Sequence, residues 1–131
     1  MFSVFPGDPS QLPALTLAYI GDAVYELYVR NSLLISGNRK VQDLHQQAIK
    51  RVNASTQARL VESIEGILTE KELAITRRGR NAKSGQIPKN AEVTEYRKST
   101  GLEALIGYLY LTEDYKRIEE LLKKIEDIVN S

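Results

Sequence analysis

The chain contains no cysteine and a single histidine, His45. The first absence excludes a disulfide framework and any thiolate-held metal. The second excludes a histidine-rich zinc site within one chain. A metal here has to be held by oxygen ligands, which favours magnesium, manganese or calcium. No sign of charge dominates: 18 Lys and Arg stand against 17 Asp and Glu, a net of +1, so the sum alone announces no nucleic-acid binder. No basic n-region precedes the apolar residues between Met1 and Gln11, so that segment does not read as a signal peptide. The most apolar stretch, Leu12 to Ile35, carries Asp22, Glu26 and Arg30, which argues against a membrane span. The alternation expected of a half-buried strand is missing throughout, as are internal repeats and a linker to a second domain. A cytoplasmic protein is the default expectation.

What is present fits one helical domain. At 131 residues the chain is long enough to bury a core of its own, and 42% hydrophobic with 27% charged residues is the balance of a soluble globular protein. Pro6, Gly7, Asp8 and Pro9 form an entry loop, and Ser10 is a candidate N-cap for a helix from Leu12 to Leu34, with Pro13 in its first turn. Ser36-Gly37-Asn38 ends it. Apolar positions at helical spacing predict a second helix over Val41–Val52 and a third from Asn53 or Ser55 through Ile67. Thr69-Glu70-Lys71-Glu72 reads as a capping box for a short helix towards Arg78. Gly79 to Asn90 shows no periodicity and reads as a long loop, of the length that tends to be functional. Glu92–Arg97 returns to helix, Thr100–Leu111 is a second strongly apolar helix, and Thr112 caps a final amphipathic one. The fold class is therefore all-α, with about seven helices.

Acids in the two apolar helices carry the first chemical clue. Ala18, Asp22 and Glu26 share one narrow stripe at about 100° per residue, and Glu103 is the one acid between Thr100 and Leu111. If both helices enter one core, their carboxylates converge and repel. At least one then takes up a proton unless a cation neutralises the group. Magnesium suits a small carboxylate cluster with room left for substrate phosphate, and two-metal arrangements are common in nucleases. Plain structural readings stand beside this one. Thr100-x-x-Glu103 also fits a capping box, and Asp22 or Glu26 can pair with Arg30. Spacing alone slightly favours those readings. Tyr25, Tyr28, Tyr108 and Tyr110 read as core or interface aromatics and His45 as a surface or boundary residue. Between Arg77 and Asn90 the charged residues are Arg77, Arg78, Arg80, Lys83 and Lys89, with no acid among them, a run that can follow a phosphate backbone or simply lie solvated.

Tyr19-Ile20-Gly21-Asp22-Ala23-Val24, followed downstream by Glu103-Ala104-Leu105-Ile106-Gly107, resembles the two acidic motifs of the ribonuclease III endonuclease domain. Order and separation both match, and the resemblance runs over essentially the whole chain. It is nearest to the short bacterial branch of that family, the Mini-ribonuclease III type. The resemblance implies one ribonuclease III-like catalytic domain over 1–131, with Asp22 and Glu103 as catalytic, metal-linked acids and magnesium as cofactor, for which manganese can substitute. Two positions depart from the family: Ala18 and Thr100 stand where larger members carry further acids. Glu26 is a candidate compensating ligand. The resemblance further implies a homodimer with the first motif helix at its two-fold, cutting both strands of double-stranded RNA. For the short branch it implies precursor 23S ribosomal RNA as substrate, with a ribosomal protein on that RNA as a possible helper. Larger family members add a double-stranded-RNA-binding domain, for which this chain has no room. RNA contact then falls to Arg77, Arg78, Arg80, Lys83 and Lys89. Two other readings compete: a catalytically degenerate RNA-binding protein of the same fold, and a helical dimerisation module without nucleic acid.

Overall fold

The computed structural model describes residues 2–82 and 92–131. Among them are seven α-helices and no strand: α1 (Ala14–Ile35), α2 (Val41–Val52), α3 (Ala54–Ile64), α4 (Glu70–Asn81), α5 (Val93–Leu111), α6 (Tyr115–Leu122) and α7 (Ile125–Val129). The expected all-α class and helix number hold, but the division differs in places. Pro13 is the N-cap of α1, and Ser10 lies in a 3-10 turn (Pro9–Gln11) capped by Asp8, whose side chain accepts from the Ser10 N–H. Gly37, at φ 103°, provides the left-handed residue just beyond α1. Asn53 caps α3 by accepting from the Thr56 N–H, and the Thr69/Glu72 capping box forms in both directions.

The main correction concerns α5. The two helices expected over Glu92–Arg97 and Thr100–Leu111 are one, opened by Glu92, whose carboxylate accepts from the Thr94 and Glu95 N–H groups. Thr100 is therefore no cap. It sits inside the helix, and its hydroxyl donates to the Tyr96 carbonyl at 3.0 Å. Gly79, assigned to the loop, belongs to α4. Thr112 closes α5 and Asp114 caps α6, so the last expected helix is divided into α6 and α7.

α5 is the central element. Leu102, Ala104, Leu105, Ile106 and Leu109 are buried on it, and it packs against α1, α3 and α4 at once. A helix surrounded in this way needs apolar residues around most of its circumference. Small residues set how closely its neighbours approach. A Cβ on Gly79 would lie 2.8 Å from the Ala104 Cβ, and one on Gly101 2.7 Å from the Thr76 carbonyl oxygen. An intrahelical glycine ordinarily costs about 1 kcal/mol relative to alanine, and here it permits backbone-to-backbone packing of α4 on α5.

The last turns are tied on by two guanidinium groups. Arg117 on α6 grips the buried Glu72 carboxylate with Nε and Nη2, both at 2.8 Å. The same carboxylate accepts from the Thr69 N–H, completing the capping box. Arg51 makes the equivalent fork onto Glu126, and its carbonyl accepts from the buried Tyr25 hydroxyl at 2.6 Å. No helix among the described residues is long and apolar enough to cross a membrane.

Candidate active site

α1 and α5 cross in backbone contact, and the crossing is reciprocal. A Cβ on Gly21 would fall 1.7 Å from the Glu103 carbonyl oxygen, while one on Gly107, a turn further along α5, would fall 1.9 Å from the Leu17 carbonyl oxygen. Only glycine fits at either point. The residue after Gly21 is Asp22, so this contact brings the Asp22 carboxylate to that of Glu103.

The electrostatics follow from that placement. Asp22 lies on the exposed side of α1 and Glu103 is half-buried. Burial, the negative charge of Asp22 and the hydrogen bond between the two side chains push the Glu103 carboxyl from its ordinary 4.5 up to about 8. The sequence leads one to expect that convergent acids hold a proton when no cation is present, and Glu103 does so at neutral pH. Opposing this, the Gln57 side chain lowers the Glu103 pKa: its Nε2 donates towards Glu103 Oε2 at 3.5 Å.

Gln57 escaped the sequence reading. The signal was nonetheless there: 57, 60, 61 and 64 have the i, i+3, i+4, i+7 spacing of the inward stripe of α3, so an amide occupies an apolar position.

Glu26 is not drawn into the pair. It is partly exposed and accepts from Arg30 Nη2 at 2.7 Å, an i,i+4 ion pair within α1. Among the described residues no group of three or more His, Cys, Asp or Glu gathers to hold a metal, and residues 83–91 contain no acid. Ala18 is buried and Thr100 is turned back onto its own helix, so neither position offers a substitute ligand. A two-carboxylate site with an excess of negative charge and only oxygen donors fits a hard divalent cation. Its other ligands would be water and phosphate oxygen.

The basic residues are more dispersed than the sequence suggests. Arg77 and Arg78 are exposed near the end of α4. Arg78 is engaged with the chain itself, donating to the Ser10 carbonyl at 2.9 Å and the Leu12 carbonyl at 2.6 Å. Arg80 lies 3.7 Å from Glu65. Lys83 and Lys89 lie outside the described residues. His45 is exposed and Tyr25 is buried, as the sequence predicts for a surface or boundary residue and a core or interface aromatic.

The Ribonuclease III domain family matches residues 15–114. The chain belongs to the ribonuclease III family and is an endoribonuclease. Within that family its similarity is to the short members named Mini-ribonuclease 3. That of Symbiobacterium thermophilum is 48% identical over 93% of this chain and 94% of its own length. Those of Enterococcus faecalis (48% identical, 88% of this chain and 89% of the relative) and Staphylococcus aureus (46%, 91% and 90%) behave alike. A crystal structure of a Fusobacterium nucleatum protein superposes with a TM-score of 0.81 at 30% identity, covering 89% of this chain and 93% of that one.

Proposed function

We propose that the chain hydrolyses phosphodiester bonds of double-stranded RNA with the help of magnesium, held by Asp22 and Glu103, and that manganese substitutes for it. The observation that carries this reading is the pairing of those two carboxylates across the α1–α5 crossing, where burial and repulsion drive Glu103 to about 8. An all-oxygen site with surplus negative charge is what a hard cation relieves. When bound there, a divalent cation supplies an acidified water and stabilises charge developing on the phosphodiester. The protein's own contribution is to keep Asp22 open to solvent, where a phosphate can reach it, and to hold Glu103 against the core. A protein that only bound RNA would have no use for two acids brought together at one crossing.

α1 supports a homodimer. Leu15, Tyr19, Leu27 and Leu34 are exposed along it, with Tyr19 81% exposed, and Leu15, Tyr19 and Asp22 follow one another at single-turn steps on one face. A two-fold that covers this face would set two active sites side by side, one for each strand of a duplex. Arg77 and Arg80, joined by Lys83 and Lys89, are the proposed phosphate contacts, with Arg78 shared between that role and its hold on Ser10 and Leu12. In this reading residues 1–131 act as one catalytic domain in the cytoplasm. Its substrate is precursor 23S ribosomal RNA, presented with or without a bound ribosomal protein.

The test is cleavage of an end-labelled RNA duplex by wild type, Asp22→Asn and Glu103→Gln, in magnesium and in EDTA. Metal-dependent cutting that disappears in both variants while duplex binding persists is the expected result. Cutting that survives in either variant, or in EDTA, overturns the assignment of the site. Salt-sensitive binding without cleavage by any form would leave the degenerate RNA-binding reading.

A further inference from the structure

Gln57 is 3% exposed, and its amide is used in a lopsided way. Nε2 donates to the Val52 carbonyl at 3.0 Å and towards Glu103 Oε2 at 3.5 Å, so both amide protons are directed at oxygen. Oε1, buried on the same planar group, has no hydrogen-bond partner among the described residues. Buried side-chain acceptors are seldom left in this condition. The amide cannot escape by rotating half a turn, because Oε1 would then face the Val52 carbonyl, acceptor against acceptor. Val52 O belongs to the last turn of α2, where carbonyls have lost their helical partners. The geometry thus locks Gln57 as a double donor between a helix end and the carboxylate.

We infer that Gln57 is a positioning residue of the active site: its amide holds the Glu103 side chain in the orientation that binds the cation, and its free carbonyl oxygen accepts from a water in the metal-bound state. The inference rests on the assignment of Asp22 and Glu103 as the metal site. A purely structural glutamine linking α2 to α3 would need only the Val52 contact.

Two measurements test this, one on wild type and one on a variant. In wild-type protein free of RNA, the Gln57 side-chain amide signals, followed by nuclear magnetic resonance, shift during a magnesium titration and saturate with the apparent affinity of the site. In Gln57→Met, which keeps an unbranched chain of similar length, manganese binding measured by calorimetry weakens about tenfold to a hundredfold, as for other groups that orient a metal ligand. Duplex cleavage in the same variant loses kcat while KM for RNA stays within twofold. A thermal midpoint that falls with no change in manganese affinity would make Gln57 a structural clamp and overturn the inference. So would amide signals indifferent to magnesium, a readout that needs no variant to fold. Glu103→Gln and Asp22→Asn, titrated with manganese in parallel, separate the two failures. If they abolish binding and Gln57→Met does not, only the positioning role is lost. If they too bind manganese as wild type does, the metal site itself is misassigned.

Discussion

Gly21 packs against the backbone of Glu103 so closely that a methyl group on its Cα would sit 1.7 Å from the Glu103 carbonyl oxygen. The obstacle is backbone, which cannot rotate away as a side chain can. Gly21→Ala therefore has to push α1 off α5. We expect a loss of about 3 kcal/mol or more, seen as a drop of roughly 10 °C in thermal midpoint, together with weaker metal binding because Asp22 and Glu103 move apart. Gly66→Ala is the control. A Cβ there meets nothing within 4 Å, and its thermal midpoint should stay close to that of wild type.

The raised Glu103 pKa makes the metal-free protein sensitive to pH in a definite direction. Below pH 4.5 the folded and unfolded forms both hold the proton, and the group has no net effect. Between 4.5 and about 8 the fold keeps a proton that the unfolded chain has released. The Glu103 contribution to stability accordingly falls as pH rises through that window and levels off above it. Subtracting the pH–stability profile of Glu103→Gln from that of wild type, both in EDTA, isolates this slope. In Asp22→Asn the window narrows from above, since Asp22 is one of its causes. At pH 7 metal binding has to expel the Glu103 proton, and calorimetry in buffers of differing ionisation enthalpy should detect release of roughly one proton per site.

Glu72 and Arg117 are the opposite case. The Arg117 fork, ahead of the Thr69 contacts, holds the Glu72 carboxyl below its ordinary 4.5. Its contribution is fully present above pH 4.5 and disappears as pH falls through the lowered value. Arg117→Met leaves a buried carboxylate without its cation and should cost about 3 kcal/mol at pH 7. Most of that penalty should vanish when the double variant Arg117→Met/Glu72→Gln is measured by urea unfolding.

Arg77 and Arg78 are neighbours with different expected effects. Arg77→Ala should leave the thermal midpoint unchanged, weaken duplex binding, and reduce the slope of log affinity against log salt by up to about one. Arg78→Ala also frees the Ser10 and Leu12 carbonyls. It should lower stability by about 1–2 kcal/mol, measurable by denaturant titration in the absence of RNA.

Much of the local structure was legible from local chemistry. Val41 and Val52 bound α2 where the periodicity puts them, Asn53 caps α3, and Thr69 with Glu72 forms its box. These depend on residues within a turn or two of one another, whose spacing is in the sequence itself. Thr100 was misleading for the same reason. Threonine followed three residues later by glutamate is a sound cap signal, and here the polar segment before it simply continues as helix, supported by α3 and α4 against its flanks.

Asp22 and Glu103 stood out as carboxylates in apolar helices, but spacing alone favoured structural roles for them, and the resemblance to the ribonuclease III motifs is what singled them out. Their meeting was not legible. It depends on Gly21 and Gly107 letting two backbones touch, and on a core that buries one carboxyl more than the other. The same core turned Gln57 from a residue of one helix into a partner of another, while Glu26 keeps to its own helix and pairs with Arg30, as the sequence allows. The sequence by itself determined which segments are helical and which side chains could do chemistry, since both rest on short-range pattern and residue type. Tertiary structure alone decided which of those side chains face each other, since burial and charge act between groups that only packing brings together.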